Sequence, residues 1–127
     1  MIVIVMGIAG TGKSTIGKML ADRLSLPFVE GDNYHSRQNI DKMSKGIPLT
    51  DADRAPWLQT LASILQDREK EGAVLACSAL KEDYRIILQQ GLKKKPAWIY
   101  LEGSEGTIRE RMKSRPGHFM PEALLHS

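Results

Sequence analysis

IVIVMGIAGTGKS, residues 2–14, joins a short apolar run to a glycine-rich loop and the start of a helix. The run from Ile2 to Met6 is continuous and rich in β-branched side chains, which is typical of a strand buried on both faces of a parallel sheet. Beyond the loop, apolar residues recur at helical spacing and predict an amphipathic helix over Lys13–Leu24. A strand, a loop and a helix in this order predict that the loop lies beyond the carboxyl end of the sheet.

The loop matches the pattern G-x-x-x-x-G-K-[ST] at every fixed position. Its glycines allow successive backbone N–H groups to point at one anion, and the helix start adds partial positive charge. In this pattern Lys13 bridges the β- and γ-phosphates of a nucleoside triphosphate, and the hydroxyl of Ser14 binds Mg²⁺. We therefore predict a phosphate-binding loop whose cofactor-binding residues are Gly7, Ile8, Ala9, Gly10, Thr11, Gly12, Lys13, Ser14 and Thr15.

A loop of this kind is shared by switch GTPases, motor ATPases and small-molecule kinases. GTPases carry the guanine-recognition motif Asn/Thr-Lys-x-Asp, which this sequence lacks. Motor ATPases have an apolar strand that ends in Asp, whereas the run Ala73–Cys77 is followed by Ser78. These differences favour a small-molecule kinase.

The rest of the chain alternates between strand and helix patterns. Further short runs predict strands at 27–30, Ala73–Cys77 and 97–101. The segments between and after them predict a short helix within 33–45 and helices from Thr50 to about Glu71, from a cap at Ser78 to a point before Gly91, and over 104–115. This alternation predicts an α/β fold with a central parallel sheet, in one domain over residues 1–127.

The composition is that of an ordinary soluble protein, with 42% hydrophobic and 26% charged residues. A formal net charge of +3 is too small to predict a nucleic-acid partner. No apolar run approaches the roughly 20 residues of a membrane helix, and the run at the start is too short for a signal-peptide core. The single cysteine, Cys77, cannot form an internal disulfide. We expect a cytoplasmic protein with no nucleic-acid or membrane partner.

Polar residues after the second and third predicted strands predict an acceptor site. Asp32 directly follows a strand and Gly31, and its carboxylate could orient an attacking hydroxyl and accept its proton. A turn cap is the alternative role for this aspartate. Cations further along the chain suit an acceptor carboxylate, although each alone is equally compatible with a solvated helix face. The predicted acceptor-binding residues are Asp32, His35, Arg54, Lys81 and Arg85.

Five blocks of the sequence closely resemble the bacterial and animal gluconate kinases. They are GDNYH at 31–35, N-x-x-K-M at 39–43, G-x-P-L-x-D-x-D-R-x-P-W-L at 46–58, A-C-S-A-L-K-x-x-Y-R at 76–85 and GHFM at 117–120. The resemblance covers the whole chain and implies a three-layer P-loop NTPase fold, like those of shikimate and adenylate kinases. It implies transfer of the γ-phosphate of ATP to the 6-hydroxyl of D-gluconate, with ATP and Mg²⁺ as cofactors, in an enzyme that is often a homodimer.

The resemblance also implies roles for particular residues. It makes Lys13 and Asp32 catalytic, and it makes about 33–58 the acceptor-binding segment. Residues from about 111 to 127 resemble the start of a lid, in which Arg111 and Arg115 close over the phosphates. Around gluconate it places His35, Arg54, Lys81 and Arg85. Because chains of this family continue past the lid, we expect a fifth strand and a last helix to be missing.

Two alternatives stay open at this point. One is a shikimate-type or other sugar-acid kinase, although the Gly-Gly-Gly that follows the third strand in shikimate kinases is replaced here by Ser78-Ala79-Leu80-Lys81. The other is a nucleotide-binding module with impaired catalysis. Retention of both Lys13 and Asp32 is an argument against that second alternative.

Overall fold

A parallel sheet of four strands organises the part of the chain that the computed structural model describes, residues 1–7, 12–78 and 81–101. Its strands are β1 (Ile2–Met6), β2 (Phe28–Glu30), β3 (Ala73–Cys77) and β4 (Ala97–Tyr100). The helices are α1 (Lys13–Leu24), α2 (Arg37–Ser44), α3 (Asp51–Arg68) and α4 (Glu82–Gln89), with a 3₁₀ turn at Gly31–Tyr34. The strand order is β2-β3-β1-β4, and every pairing is parallel, as predicted.

Helices cover both faces of this sheet. In β1, Ile2 and Ile4 pack into one buried cluster with α3 and α4, while Val3 and Val5 pack into a second cluster with α1. Successive side chains of a strand point to opposite faces, so α1 lies on one side of the sheet and α3 and α4 lie on the other. The three-layer α/β architecture expected from the sequence is confirmed.

The carboxyl ends of the strands lie nearly level at one edge of the sheet. Met6, the last residue of β1, pairs with Cys77 in β3 and with Tyr100 in β4. Glu30, the last residue of β2, pairs with Ala76 of β3. The segments that follow β1, β2 and β3 therefore leave the sheet at the same edge, where ligands of open α/β sheets bind.

Two helices begin where the sequence predicts. The bounds of α1 are those predicted, and α3 starts with the predicted capping box. In this box the Asp53 N–H donates to Thr50 Oγ1 at 3.1 Å, and the Thr50 N–H donates to Asp53 Oδ2 at 3.0 Å. α3 ends at Arg68, slightly earlier than the predicted end near Glu71.

The short helix predicted within 33–45 is α2, and a 3₁₀ turn precedes it. The hydroxyl of Ser36 accepts a hydrogen bond from the Asn39 N–H at 3.1 Å, and this cap starts a separate helix. The predicted helix over 104–115 and the predicted lid from about 111 to 127 lie outside the described residues.

The prediction that Ser78 caps the fourth helix was wrong. α4 begins at Glu82, and Lys81 occupies the cap position with an extended backbone. Glu82 and Asp83 favour a start at this point, because acidic side chains in a first turn interact well with the helix dipole. No helix in the described part of the chain is long and apolar enough to cross a membrane.

The turn after β2 requires a glycine at its first position. A Cβ atom at Gly31 would lie 2.6 Å from the carbonyl oxygen of Ala76 in β3, closer than a Cβ can approach backbone without a shift. We expect Gly31→Ala to lower the free energy of unfolding by about 1–3 kcal/mol, measured by urea titration.

The control for this prediction is Gly46→Ala. A Cβ at Gly46 would meet no heavy atom within 4 Å, so only its positive φ of 72° would be strained. We expect this variant to lose no more than about 1 kcal/mol. Equal unfolding midpoints for the wild type and Gly31→Ala would contradict the close approach of the turn to β3.

Candidate active site

The start of α1 forms the phosphate side of the site. Gly12 precedes the helix with φ 79° and ψ 31°, a left-handed conformation that glycine adopts without strain. No side-chain hydrogen bond caps this helix start among the described residues, so its first N–H groups can bind an anion. Lys13, Ser14 and Thr15 form the first turn and are half-buried. Gly7 is buried at the end of β1, whereas Ile8, Ala9, Gly10 and Thr11 lie outside the described residues.

Ser14 contacts Glu30, an acidic residue for which the sequence predicted no role. Its hydroxyl donates a short hydrogen bond to Oε2 of Glu30, the last residue of β2. In the sheet β3 lies between β2 and β1, so this contact reaches across the carboxyl end of β3. The hydroxyl and the carboxylate are hard oxygen donors of the kind that Mg²⁺ prefers. The sequence signal for Glu30 was its position as the acid that ends the strand before Asp32.

Asp32 lies in the 3₁₀ turn at the end of β2, with its side chain exposed. Within the described part of the chain its carboxylate accepts no hydrogen bond, and the His35 N–H donates instead to the main-chain oxygen of Asp32 at 3.4 Å. The carboxylate is therefore not a structural cap among these residues. Its accessibility is what a group that takes a proton from a substrate requires.

His35 is buried and lies close to Asp32 and Arg54. Its ring stacks on Trp57 with centroids 4.1 Å apart and an angle of 17° between the planes. The Trp57 Nε1–H donates in turn to the carbonyl oxygen of Gly31 at 2.8 Å, which ties α3 to the turn that carries Asp32. Burial lowers the pKa of His35, while Asp32 raises it and Arg54 lowers it.

Two of the predicted cations meet at Tyr84. Arg54 Nη1 donates to the Tyr84 hydroxyl at 3.2 Å, and its guanidinium lies 5.6 Å from the ring centroid. Lys81 Nζ lies 5.5 Å from the same centroid and donates to Asp51 Oδ1 at 3.1 Å. The Tyr84 hydroxyl donates a short hydrogen bond to that same carboxylate oxygen. Lys81 therefore pairs directly with Asp51, whereas Arg54 is linked to that carboxylate through the Tyr84 hydroxyl.

Asp51 and Lys81 each stabilise the ionised form of the other. The hydrogen bonds from Tyr84 and Lys81 hold the pKa of Asp51 below its usual range, and the Asp51 carboxylate raises the pKa of Lys81. No role was predicted for Asp51 or Tyr84, although both lie in the blocks that resemble gluconate kinases. Their contact depends on the packing of α3 on α4, which a sequence pattern does not reveal.

Arg85 has an unusual environment for an arginine. The residue is half-buried, and its Nε has no hydrogen-bond partner among the described groups. Buried N–H groups are nearly always paired, so an unpaired one is a candidate ligand contact. The other predicted arginines, Arg111 and Arg115, lie outside the described residues.

Two cavities in the described part of the chain do not coincide with the predicted site. One of about 290 Å³ opens beside Asn39 and Trp57, between α2 and α3. The other, of about 730 Å³, lies near the amino ends of β1 and β4 and is flanked by Lys93, Lys94 and Lys95. None of the predicted acceptor-binding residues lines either cavity.

Comparison with known proteins identifies the family. The chain is 48% identical over 126 residues to the thermosensitive gluconokinase of Escherichia coli strain K12, covering 98% of this chain and 67% of that protein. The chain belongs to the gluconokinase family. A probable gluconokinase of Mus musculus is 44% identical over 144 residues, covering 99% of this chain and 78% of that protein. The resemblance to gluconate kinases seen in the sequence is thus confirmed.

Solved structures agree with membership of the gluconokinase family. A gluconokinase from Sinorhizobium meliloti 1021 is 48% identical with a TM-score of 0.75, covering 96% of this chain and 69% of that one. The shikimate kinase family model matches residues 9–123. A shikimate kinase from Acinetobacter baumannii is only 19% identical with a TM-score of 0.54, which shows a shared fold alone. Gluconokinases and shikimate kinases therefore share the P-loop kinase fold, as expected from the sequence.

Proposed function

We propose that this chain transfers the γ-phosphate of ATP to the 6-hydroxyl of D-gluconate, giving ADP and 6-phospho-D-gluconate. The observation that carries the proposal is the 48% identity to a gluconokinase over 98% of the chain. The juxtaposition of an anion-binding helix start, an exposed aspartate and a cationic cluster is what this reaction needs. It requires bound phosphates, a proton acceptor and a site for a sugar acid.

The phosphate half of the reaction is assigned to the start of α1. Lys13 neutralises charge on the β- and γ-phosphates, and the backbone N–H groups of the loop and the first helix turn bind their oxygens. The acceptor 6-oxygen forms a bond to the γ-phosphorus as the bond from that phosphorus to the β,γ-bridging oxygen breaks. ADP leaves with the bridging oxygen.

Mg²⁺ fits the donors present at this edge of the sheet. Ser14 and Glu30 would hold it, because a hydroxyl and a carboxylate already meet there. When bound, Mg²⁺ neutralises phosphate charge. No cluster of three or more His, Cys, Asp or Glu side chains suited to a metal occurs among the described residues. A site with few protein ligands suits Mg²⁺, which commonly relies on substrate phosphates and water for the remainder.

The acceptor half is assigned to the turn after β2 and to α3 and α4. Asp32 accepts the proton of the 6-hydroxyl as its oxygen attacks. Arg54, Lys81 and Arg85 supply positive charge for the gluconate carboxylate, and His35 contributes a hydrogen bond to an acceptor oxygen. Arg54 and Lys81 are already oriented by Tyr84 and Asp51, which reduces the side-chain entropy lost on binding.

Acceptor specificity tests the proposal. D-glucitol has the hydroxyls of gluconate but carries CH₂OH where gluconate carries a carboxylate. We expect kcat/KM for D-gluconate to exceed that for D-glucitol by about 10³-fold, because cations built for a carboxylate are left unpaired by the analogue. The measurement is coupled ADP release with each acceptor at saturating ATP.

Matched variants locate this selectivity in the structure. Arg54→Met should reduce the ratio of the two kcat/KM values, whereas Arg68→Met at the far end of α3 should leave it unchanged. Equal rates with gluconate and glucitol would refute gluconate as the substrate. Faster ADP release with shikimate would favour the shikimate-type alternative, and no release with any acceptor would favour a non-catalytic module.

We also propose a homodimer, as the resemblance to gluconate kinases implies. Sedimentation velocity over a range of protein concentrations measures this directly. A mass of one chain at the highest concentration would contradict the proposal.

A further inference from the structure

Asn39 lies buried between the site histidine and the backbone of α3. The residue is 4% exposed, and its side-chain nitrogen Nδ2 donates to the main-chain oxygen of Asp53 at 2.9 Å. The same nitrogen lies 3.3 Å from Nδ1 of His35. One amide group thus connects α2, α3 and the histidine.

This arrangement determines which ring nitrogen of His35 carries a proton. A main-chain oxygen can only accept a hydrogen bond, so the amide must present its NH₂ group, and not its oxygen, to Asp53. An NH₂ group can only donate, so Nδ1 of His35 must accept with its lone pair. In the neutral ring the proton is therefore on Nε2.

The packing of the ring holds this arrangement in place. His35 is 9% exposed and stacks on Trp57, whose indole N–H is tied to the carbonyl oxygen of Gly31. Exchange of the two ring nitrogens would require rotation against this stacked contact. It would also remove the acceptor that faces Asn39 Nδ2.

The charges around His35 come from three elements. Asp32 in the 3₁₀ turn favours the imidazolium form, while Arg54 in α3 and burial of the ring oppose it. Lys42 in α2 is paired with Asp53 at 2.9 Å, and hydrogen bonds from the Thr50 backbone and Lys42 lower the pKa of Asp53 to about 2. Since burial is the largest influence, the pKa of His35 is lowered, which favours the neutral ring at pH 7.

We propose that Asn39 is a positioning residue that holds His35 as the neutral Nε2–H tautomer, so that Nε2–H donates a hydrogen bond to an oxygen of the acceptor. The acceptor contact rests on the function proposed above. The tautomer itself does not, because it follows from the contacts of Asn39 alone.

The tautomer can be measured on the wild-type full chain without any ligand. In ¹⁵N-labelled protein at pH 7.5, the two-bond correlations of the imidazole ring should give a pyridine-type Nδ1 and a pyrrole-type Nε2 for His35. The chain has three histidines, and the signals that vanish in His35→Gln identify the one of interest. A pyrrole-type Nδ1, or two averaged nitrogens, would overturn the proposal.

Asn39→Asp tests the consequence for acceptor binding, because it replaces a donor with an acceptor of the same shape. The new carboxylate accepts a proton from Nδ1 and raises the pKa of His35. Below that raised pKa the ring still donates through Nε2, but above it the remaining proton is drawn to Nδ1 and the Nε2 donor is lost. We therefore expect the KM for gluconate to rise about 10-fold between pH 6 and pH 9 in this variant. A change of this size corresponds to the loss of one hydrogen bond.

The wild type and a matched control should lack this dependence. In the wild type Nε2 carries a proton in both the charged and the neutral ring, so the ratio of KM values between the two pH values should stay within about 2-fold. Gln59→Glu on the exposed face of α3 makes the same chemical change away from His35, and it should behave like the wild type.

The outcomes separate this inference from the proposed function. A pH-independent KM in a folded Asn39→Asp variant, in which the His35 pKa is raised, would overturn the acceptor contact. Absence of gluconate turnover in the wild type, together with the expected ¹⁵N pattern, would refute the proposed function and leave the tautomer assignment standing.

Discussion

Replacing Lys13 with alanine is expected to lower phosphoryl transfer to gluconate by about 10³-fold or more, because preorganised charge on the transferring phosphoryl group is the main source of catalysis in this chemistry. Lys13 is the first residue of α1 and directly follows Gly12, whose left-handed conformation starts the helix. The cation is therefore held at the point where the phosphates are expected to bind. Both kcat and the affinity for ATP should fall, measured by coupled ADP release and by ATP titration.

Lys18→Ala provides the control, since it removes the same charge from the same helix. Lys18 is exposed, and its ammonium lies 5.8 Å from the ring centroid of Phe28. It therefore lies along the side of α1 and not at its start. The activity of the variant should stay within about 2-fold of the wild type, because the exposed charge of Lys18 lies beyond the first helix turn and is screened by solvent and salt. Near-normal turnover of Lys13→Ala at saturating ATP would contradict the assignment of the phosphate-binding loop.

The sequence predicted the sheet well because its strands are buried on both faces. β1 and β3 are continuous apolar runs in which every residue is buried, and the first and last residues of such runs are easy to identify in a sequence. α1 was equally predictable, since a glycine fixes its start and a helical period its extent. The polar residues after the strands then had to converge, because parallel strands direct their following loops to one edge.

The supporting contacts of the site could not be predicted in the same way. Glu30 reaches Ser14 only because the strand order brings the end of β2 across β3, and periodicity does not reveal strand order. Asn39 contacts Asp53 and Tyr84 contacts Asp51 only after helices distant in the chain pack together, so helical periodicity does not reveal either contact. Ser78 illustrates the converse: a good cap residue was not used, because the acidic pair that follows Lys81 offered a better helix start.

The two halves of the site are joined by a small set of backbone contacts. Gly31 approaches the end of β3 so closely that any Cβ would force the backbone to shift, and its carbonyl oxygen accepts a hydrogen bond from Trp57 in α3. Asp32 and His35 are thereby fixed relative to α3, which also carries Arg54. The proton acceptor and a carboxylate-binding cation are therefore positioned by the same turn, and disturbance of that turn should affect both.

Asp32→Asn is expected to lower kcat for gluconate by about 10²–10⁴-fold, because an amide cannot accept the proton of the attacking hydroxyl. The KM for ATP should stay within about 2-fold, since the phosphates are assigned to α1 and the loop before it. The free energy of unfolding should change by no more than about 0.5 kcal/mol, as for other substitutions of exposed residues. Asp67→Asn on the exposed face of α3 is the matched control and should leave kcat unchanged.

Three possible roles of Asp32 predict different effects of Asp32→Asn on kcat. If Asp32 only capped its turn, asparagine would replace it with little effect, and the turn in any case uses the main-chain oxygen of Asp32 to bind the His35 N–H. If the loss arose through His35, the variant would have to change the charge of that ring at pH 7. Asp32 raises the pKa of His35, so removing its charge lowers that pKa further and leaves the ring neutral. A fall in kcat would therefore belong to the carboxylate itself, and wild-type turnover would reduce Asp32 to a residue of the turn.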